Sequence, residues 1–553
     1  MKQRLNGADA IVECMKLEGV EHIFCVPGES YLPLMDSIYE TDGIELISTR
    51  HEGGAAFMAE GYGKATRKPG VVMATRGVGG SNLAIGVHTA YQDSTPMVVF
   101  LGQVHSKFRG REGFQEVDLD QFFGHIAKWT VEIKDAERVP ELVQRAFRVA
   151  KSGRPGPVVI SLPEDVLVEE ADMFFGPVSH APAPQPSAQE ISFVQELLKK
   201  SKRPVILAGG GVIAANGEQA LQELVEKFNI PVMSSFRRHD VFPNNHPLYA
   251  GHCGLGTFSP ILDTLRMADL VLAIGTRLSE VTTQDYSIIK PEQTLIHIDI
   301  SEDILGKVFS PHAGIVSDAK EALEALLNMK IEQNWRTWGN ERHAVYRHAG
   351  DNFASEKEQS IDNREIIRML ETALPKASII TNDAGNFAGW LHNFYSFTDS
   401  KTYIGPTNGA MGYGLPAAIG AKLAKPEKTV ISLSGDGGFM MTVQEIETAV
   451  RYNIPVIALV FNNCMYGTIR MHQEKNYPER VIGTDLSHTN FSELGSALGA
   501  ISYRVTTNEE FKDVFEQALN EGKVTVIEIM TNPEEISVQE TITSLRKKAL
   551  NHA

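Results

Sequence analysis

The stretch that most restricts what this chain can fold into runs from residue 429 to residue 463. Residues 429–433 are short, apolar and rich in β-branched side chains, and they stop at the turn Gly-Asp-Gly-Gly of residues 435–438. A helical pattern follows at residues 441–453, and a second apolar run, residues 456–461, ends on two asparagines. A strand, a helix and a strand of this length normally bring the two strands parallel into one sheet. The sequence therefore predicts a buried parallel sheet here.

Two functional side chains follow these two strands. Asp436 stands after the first strand and Asn463 after the second, 27 positions later (463 − 436). Ligands of doubly wound sheets bind at the carboxyl ends of the strands, so we expect both side chains at one site. A carboxylate and an amide oxygen suit the octahedral oxygen shell of Mg²⁺. The neighbouring glycines let backbone amides approach phosphate groups.

Other glycine motifs have to be weighed against this interpretation, because a glycine cluster alone is more often a tight turn with positive φ. Neither Lys-Ser nor Lys-Thr follows residues 435–438, which excludes the Walker phosphate loop. The spacing is not Gly-x-Gly-x-x-Gly, which argues against a nicotinamide dehydrogenase. A metal-bridged diphosphate site remains.

The motif Gly435-Asp436-Gly437 followed by Asn462-Asn463 resembles the thiamine diphosphate motif of the acetolactate synthase and pyruvate oxidase group of enzymes. The chain is most similar to the large catalytic chain of acetolactate synthase. The resemblance covers nearly the whole sequence through five further segments: Val26-Pro27-Gly28, Arg50-His51-Glu52, Phe114-Gln115-Glu116, residues 296–299 and residues 409–416.

The resemblance implies roles for four of these residues. Glu52 matches the glutamate that hydrogen-bonds the pyrimidine ring of the cofactor and assists proton loss from the thiazolium carbon; taken alone, it would be a first-turn helix acid. Gln115 matches an active-site glutamine that orients the oxo acid; taken alone, it would be a solvated loop residue. Met411 matches the apolar residue that wedges under the cofactor, although methionine near glycines is more often packing filler. Gly409 would offer its carbonyl to the pyrimidine amino group.

The remaining matched positions form two groups. Asp436, Asn463 and the backbone oxygen of Met465 match the ligands of Mg²⁺. The others match contacts to thiamine diphosphate itself, and they are Pro27, Gly28, Gly385, Asn386, Gly435, Gly437, Gly438, Tyr466 and Gly467.

Bulk properties narrow the class of protein. The 553 residues exceed one ordinary core and suggest about three domains. The net charge of −17 repels phosphate backbones, so we expect no nucleic acid partner. No run of about 18 apolar residues occurs and the four cysteines lack metal or disulfide spacing, so we expect a cytoplasmic protein without a membrane partner. Arg546-Lys547-Lys548 is expected to be a solvated tail.

Composition divides the chain into three predicted domains: residues 1–175 (N-terminal), 190–330 (central) and 360–540 (C-terminal). The proline-rich residues 176–189 predict a first linker, and a polar region at residues 330–363, which includes Glu356-Lys357-Glu358-Gln359, predicts a second. Short apolar runs alternate with amphipathic helices throughout, which predicts an α/β protein of three doubly wound parallel-sheet domains. The resemblance implies a thiamine diphosphate-binding fold in the first and last domains and a Rossmann-like middle domain.

A sequence pattern that occurs twice in the chain indicates that the first and last domains are related. An apolar run at residues 71–75, glycines at 77, 79 and 80, and Pro96 repeat the pattern of the last domain. The glycine-to-proline separations are 19 (96 − 77) and 20 (455 − 435). We infer a duplication in which Val78 takes the place of Asp436, so that only the later copy binds the metal.

The implied activity is decarboxylation of a 2-oxo acid such as pyruvate, dependent on thiamine diphosphate and Mg²⁺, with ligation to a second carbonyl. Because the family splits its cofactor between subunits, a homodimer or homotetramer is implied. The alternatives are a flavin-linked pyruvate oxidase, a non-ligating decarboxylase and a non-enzymatic cofactor-binding protein. Glu52 together with Asp436 and Asn463 argues against the last of these.

Three positions keep two interpretations open. Glu29 follows Gly28 where the biosynthetic synthases carry small apolar residues, and it could act as an acid or base or cap the next helix. His472 occupies the position of a tryptophan associated with the choice of second substrate. In the middle domain, glycine clusters at residues 209–211 and at Gly275 follow strands, so either bound FAD or a structural remnant of a nucleotide site fits.

Overall fold

Three parallel six-stranded sheets follow one another along the chain. The computed structural model describes residues 2–351 and 361–552. The predicted second linker lies partly outside this part of the chain, since Glu356-Lys357-Glu358-Gln359 is not among the described residues. The predicted α/β class with three parallel-sheet domains is confirmed. The three sheets lie inside the predicted domain ranges, and the borders of those ranges stay a prediction.

The strands, in chain order, are β1 (Lys2–Asn6), β2 (His22–Cys25), β3 (Glu45–Ser48), β4 (Gly70–Thr75), β5 (Met97–Gln103), β6 (Trp129–Glu132), β7 (Pro157–Pro163), β8 (Glu170–Phe174), β9 (Pro204–Ala208), β10 (Val232–Ser234), β11 (Tyr249–His252), β12 (Leu270–Ile274), β13 (Thr294–Asp299), β14 (Ala313–Val316), β15 (Ile379–Asn382), β16 (Tyr403–Ile404), β17 (Val430–Gly435), β18 (Ile457–Asn462), β19 (Ile501–Val505) and β20 (Thr525–Met530).

The α-helices are α1 (Gly7–Leu17), α2 (Leu32–Tyr39), α3 (Glu52–Thr66), α4 (Arg76–Asp93), α5 (Leu119–Phe123), α6 (Val139–Lys151), α7 (Glu164–Val168), α8 (Ala188–Lys200), α9 (Gly210–Ala214), α10 (Glu218–Phe228), α11 (Ser259–Met267), α12 (Ala319–Leu326), α13 (Arg336–His348), α14 (Asn363–Ala373), α15 (Ala388–Phe394), α16 (Gly414–Ala424), α17 (Asp436–Thr442), α18 (Glu445–Arg451), α19 (Gly467–Asn476), α20 (Phe491–Ala497), α21 (Asn508–Glu521) and α22 (Ile542–His552).

The first and last sheets have the same topology. The first has the order β3-β2-β4-β5-β7-β6 and the last the order β16-β15-β17-β18-β20-β19. Counted from the first strand of each sheet, both orders read 2-1-3-4-6-5. The middle sheet, β11-β10-β9-β12-β13-β14, reads 3-2-1-4-5-6, which is the Rossmann order. Both topologies agree with the duplicated end domains and the Rossmann-like middle domain that were predicted.

The strands are buried on both faces, as parallel sheets require. In β2, Ile23 and Cys25 face one hydrophobic core while Phe24 faces a second. The second core is shared between the first and last domains, because α3 packs against α16 in it. A Cβ on Gly420 would lie 2.0 Å from the backbone oxygen of Met58, so glycine permits this close approach. The first and last domains of one chain are therefore packed as one body around a common core.

The predicted first linker is extended for most of its length. Residues 176–187 form no helix or strand, and α8 begins at Ala188, two residues before the predicted start of the central domain at residue 190. Ser187 caps α8 through a capping box with Glu190, which explains the early start. The oxygen of Pro184 accepts hydrogen bonds from Ser317 Oγ (2.9 Å) and Asp318 N (2.8 Å). The linker is thus fixed to the middle domain.

The helices that follow β4 and β17 begin at Arg76 and Asp436, so the two copies align differently from the prediction. The helix predicted at residues 441–453 begins five residues earlier, at Asp436, and is divided into α17 and α18. In the first copy α4 begins at Arg76, directly after β4, so Arg76 and not Val78 corresponds to Asp436. The glycine count misaligned the copies by two residues, but a cation at this place likewise offers no metal ligand.

The prediction of a solvated C-terminal tail is wrong for Arg546. This residue lies on α22, which packs against α19, and its guanidinium binds the fully buried carboxylate of Glu474 at 2.7 and 2.9 Å. Hydrogen bonds from Arg546 are the main cause that lowers the pKa of Glu474 to about 2. The partner lies 72 positions away (546 − 474), beyond what a local charge pattern can reveal.

A buried ion cluster joins the first domain to the last. The Lys64 ammonium on α3 contacts Glu60 Oε1 at 2.9 Å, Asp93, and the oxygen of Gly405 at 3.1 Å. The hydroxyl of Tyr413 donates to Glu60, and Asp93 Oδ1 accepts from the backbone N of Thr407 at 2.8 Å. Both carboxylates are fully buried and the lysine is nearly so. Burial in low dielectric makes these charges strongly dependent on each other.

Among the described helices, none is long and apolar enough to cross a bilayer.

We predict that Lys64→Met destabilises the protein by about 3–5 kcal/mol, because two buried carboxylates lose their cation. Lys68→Met is the matched control, since Lys68 pairs with Glu21 at the surface with both side chains more than half exposed; it should change stability by about 0–1 kcal/mol. Urea unfolding followed by circular dichroism measures both. Equal midpoints for the two variants would contradict this account of the cluster.

Candidate functional site

The strands β17 and β18 bring Asp436 and Asn463 to one edge of the last sheet. These strands are parallel neighbours, with Gly435 opposite Phe461. Asp436 is the first residue after β17, and Asn463 the first after β18. The register therefore places both residues at the carboxyl edge, Asp436 one position beyond Gly435 and Asn463 two positions beyond Phe461, as the spacing predicted.

Asp436 is a buried carboxylate with one unused oxygen. Its Oδ1 accepts a hydrogen bond from the backbone N of Gly437 at 2.9 Å, while its Oδ2 is buried without a partner among the described residues. Burial raises the pKa of Asp436 to about 6, against the opposing effect of nearby backbone amides of Gly437, Met465 and Cys464. A buried carboxylate oxygen without a partner is unfavourable unless a cation or donor meets it. This oxygen therefore fits a hard cation such as Mg²⁺.

The turn after β18 is held by its own hydrogen bonds. Asn463 Oδ1 accepts from the backbone N of Met465 at 3.3 Å, and Cys464 adopts φ +56°. The backbone oxygen of Met465 accepts from Gly467 N at 2.9 Å, which leaves its second lone pair for another partner. We call Asp436, Gly437, Gly438 and the turn of residues 463–467 the C-terminal cradle.

Asp383 supports the cradle from the next strand and was not predicted. It follows β15, and its Oδ2 accepts from Gly412 N and Ser434 Oγ, each at 3.2 Å. A Cβ on Gly438 would lie 2.9 Å from this oxygen, so the backbone of the cradle passes directly over the carboxylate. Burial raises the pKa of Asp383 to about 6. The sequence did contain a signal for this residue, because Asp383 is an acidic residue directly after the apolar strand β15, as Asp436 is after β17.

Gly385 and Asn386 follow Asp383 and differ in what they leave free for a ligand. Gly385 is exposed with φ +147°, so its backbone is open to a ligand. The amide of Asn386 is already engaged, because Nδ2 donates to Ile536 O at 2.9 Å and Oδ1 accepts from Thr468 Oγ1 at 3.0 Å. Asn386 is therefore free to meet a ligand mainly through its backbone.

The loop that carries Gly409 and Met411 is fixed from both sides. The oxygen of Gly412 accepts from Thr442 Oγ1 of α17 at 2.8 Å, and Asn408 Nδ2 donates to Thr89 Oγ1 of α4 at 3.0 Å. Gly409 is exposed with φ +71° and has open space where a side chain would be. Met411 is half-buried.

The predicted N-terminal site residues meet at the carboxyl edge of the first sheet. Glu52 opens α3 after β3, and its Oε2 accepts from Asn82 Nδ2 at 2.9 Å. Gly28 follows β2 and packs on Thr75 at the end of β4, next to an exposed Pro27. The backbone oxygen of Gln115 accepts a hydrogen bond from the backbone N of Gly77 at 3.1 Å. We call Gly28, Glu52, Gly77 and Gln115 the N-terminal edge.

The N-terminal edge and the C-terminal cradle lie on different sheets of the chain. Among the described residues, no hydrogen bond or ion pair joins Glu52 to Asp436 or to Asn463. A different C-terminal residue approaches Glu52's helix: Glu445 accepts from the backbone N of Arg50 at 3.3 Å. Burial raises the pKa of Glu445 to about 7. Glu445 thus fixes the start of α3 to the last domain of the same chain.

A separate cavity of about 390 Å³ lies between the three domains. It follows the carboxyl edge of the middle sheet, where Gly211 and Gly275 approach each other closely. Its lining contains seven arginine and lysine side chains against three aspartates, in a chain of net charge −17. The Nε of Arg67 in this lining is buried and has no hydrogen-bond partner in the part of the chain that the structure describes. The cavity is thus suited to an anionic ligand.

Three family models match the chain, one in each domain. They are the thiamine pyrophosphate enzyme N-terminal TPP binding domain (residues 5–122), central domain (residues 191–326) and C-terminal TPP binding domain (residues 383–529).

The chain is also similar over nearly its whole length to curated proteins. It is 34% identical to the probable acetolactate synthase large subunit of Methanocaldococcus jannaschii, over 96% of this chain and 93% of that protein. It is 33% identical to the acetolactate synthase large subunit of Lactococcus lactis, over 97% and 94% of the two chains. It is 31% identical to the acetolactate synthase isozyme 3 large subunit of Escherichia coli, over 94% and 93%.

Proposed function

The chain belongs to the thiamine pyrophosphate enzyme family, and from this premise we propose that it decarboxylates a 2-oxo acid, pyruvate, and ligates the remaining acyl unit to a second carbonyl, as an acetolactate synthase does. The observation that carries the proposal is the buried oxygen of Asp436, which has no partner among the described residues, at the carboxyl edge where Asn463 also lies. This is the place and the chemistry that a metal-bound diphosphate needs.

The residues present fit thiamine diphosphate and Mg²⁺. Asp436, Asn463 and the carbonyl of Met465 would hold Mg²⁺, because all three offer oxygen ligands at the ends of the neighbouring strands β17 and β18. The backbone around Gly385, Asn386 and the glycines 435, 437 and 438 would meet the diphosphate, with Tyr466 and Gly467 closing the turn. When bound, thiamine diphosphate supplies a nucleophilic carbon and takes up the electron pair released with carbon dioxide.

The residues of the chain itself would orient the cofactor and the oxo acid, and would move a proton. Glu52 would exchange a proton with the pyrimidine ring, and Asn82 holds its carboxylate in place at 2.9 Å. Gly28 and Gly409 would face the ring through their backbone, and Met411 would pack under it. The amide of Gln115 makes no hydrogen bond within the described residues, so it is free to bind an oxygen of the oxo acid.

We propose that the active unit is a homodimer or a pair of such dimers, with each site shared between two copies. The N-terminal edge and the cradle lie on different sheets, and no hydrogen bond joins Glu52 to Asp436 or Asn463 among the described residues, which supports a site completed by a second copy. The helices α4 and α17 begin at these two places and expose apolar side chains there: Val78, Ile85, Met440 and Met441 are 44–51% exposed. Patches of this kind mark contacts between subunits.

We assign the cavity between the three domains to FAD. Its position at the carboxyl edge of a Rossmann-ordered sheet, its close glycines and its excess of cations support a dinucleotide, and its volume lies in the usual range for ligand pockets. Purified protein should then be yellow and release flavin on denaturation. Colourless protein that takes up no added FAD would leave the structural remnant as the correct interpretation.

We predict that the purified protein, given thiamine diphosphate, Mg²⁺ and pyruvate, forms acetolactate. The control is Glu40→Gln, an exposed glutamate of the same domain, which should leave turnover unchanged. Glu52→Gln keeps the size of the side chain but cannot exchange a proton, so kcat should fall about 10²–10⁴-fold. Nuclear magnetic resonance of the products measures both.

The product distinguishes the proposal from its alternatives. Acetate or acetyl phosphate with reduction of an electron acceptor would mean a flavin-linked oxidase, and free aldehyde a simple decarboxylase. Unchanged turnover in Glu52→Gln would remove Glu52 from the mechanism.

A further inference from the structure

Arg76 occupies a strained and central place at the N-terminal edge. It is the first residue of α4, directly after β4. Its backbone adopts φ +40°, a conformation that residues other than glycine rarely take. Its side chain is only 8% exposed. Strained backbone of this kind persists only where the surroundings hold it, and it is concentrated at functional sites.

The guanidinium of Arg76 binds three separate segments. Nη1 donates to Glu29 Oε1 at 3.2 Å and to the backbone oxygen of Phe114 at 3.4 Å. Nη2 donates to Glu164, which opens α7 after β7. The guanidinium also lies over the ring of Phe114, 5.8 Å from its centroid. One side chain thus ties the ends of β2, β4 and β7 to the loop that carries Gln115.

These contacts answer what Glu29 does. The short turn Glu29–Tyr31 has no side-chain capping bond, so the helix-capping interpretation is not supported by a hydrogen bond. The carboxylate instead turns to Arg76 and remains 67% exposed. Its direction is set by the arginine.

The same contacts fix the backbone of Gln115. Gln115 adopts φ +63° and its oxygen accepts from Gly77 N, the residue after Arg76. The loop is braced internally, because Glu116 accepts from Gly110 N at 2.7 Å and from Gly113 N at 2.9 Å. Arg76 is one external anchor, through Phe114 at 3.4 Å, beside Gly77 at Gln115 and Gln103, whose Nε2 donates to Val117 O at 2.9 Å. The backbone of Gln115 is thereby held, while its side-chain amide makes no hydrogen bond to any described residue.

We propose that Arg76 is the positioning residue of the N-terminal edge, which holds Gln115 and Glu29 toward the second carbonyl substrate and so governs how much of the acyl unit is ligated. This rests on the proposed function. Arg76 also neutralises part of the charge of Glu29 and Glu164. Without it, these carboxylates together with Glu52 would repel an anionic oxo acid.

Two substitutions separate the charge of Arg76 from its geometry. Arg76→Met removes both, so the KM for pyruvate should rise about tenfold or more and the ratio of ligated to unligated product should fall. Arg76→Lys keeps the charge but not the planar fork, so it should recover KM more than product ratio. Glu29→Gln combined with Arg76→Met should recover part of the KM, because one orphaned carboxylate is removed.

The control is Arg145→Met, an exposed arginine of the same domain that stacks on Trp129 at 4.4 Å and touches none of these groups. It should leave KM, product ratio and thiamine diphosphate affinity unchanged. In Arg76→Met the affinity for thiamine diphosphate should also stay within about twofold, since Arg76 is no part of the cradle. Unchanged KM and product ratio in Arg76→Met, with only a lower unfolding midpoint, would overturn the proposal.

Hydrogen exchange tests the same residue without any turnover. Amides of residues 110–117 should exchange faster in Arg76→Met than in wild type or in Arg145→Met, because the loop loses one of its anchors. Unchanged exchange would overturn the positioning role. Wild-type protein that forms no ligated product, with faster exchange in Arg76→Met, would sink the proposed function but not the anchor.

Discussion

The Lys64 ammonium, buried between two carboxylates, holds the parts of this protein that have to work together. It lies on α3, the helix that Glu52 opens, and it reaches the oxygen of Gly405 at the start of the loop that carries Gly409 and Met411. Asp93 completes the connection by binding Thr407 of the same loop. In a symmetric dimer, the arrangement of the two end domains within one chain also sets where each domain meets the other copy. A surface ion pair could not fix that arrangement, because solvent would screen it.

The two end domains have the same strand order but opposite charges at the same point. Where the last domain has Asp436, whose free oxygen fits a cation, the first has Arg76, a cation held by Glu29 and Glu164. Each stands at the first position of the helix after the third strand of its sheet. In the proposed function, one copy would provide the metal and phosphate site, and the other a polar edge for a pyrimidine ring and a substrate. The duplicated fold would then supply two halves of one active site.

Much of this could be predicted from short-range pattern. Buried parallel strands are continuous apolar runs, so the run at residues 270–274 and its neighbours were recognisable, and the spacing of Asp436 and Asn463 followed from one strand-helix-strand unit. What could not be predicted depends on partners far apart in sequence. Arg546 reads as part of a basic tail until Glu474 is beside it, and Glu445 reads as a helix acid until it meets Arg50. The glycine count misaligned Val78 with Asp436 because glycines mark turns, whereas the strand ends fix the true correspondence at Arg76.

The central claim is that each active site combines Glu52 of one copy with Asp436 and Asn463 of another. The direct measurement is complementation: Glu52→Gln and Asp436→Asn variants, each inactive alone, are dissociated, mixed and reassociated. The account predicts recovery of about a quarter of wild-type activity, because half of randomly formed dimers are mixed and each of these has one intact site. Mixtures that form mixed dimers but stay as inactive as the separate variants would contradict it.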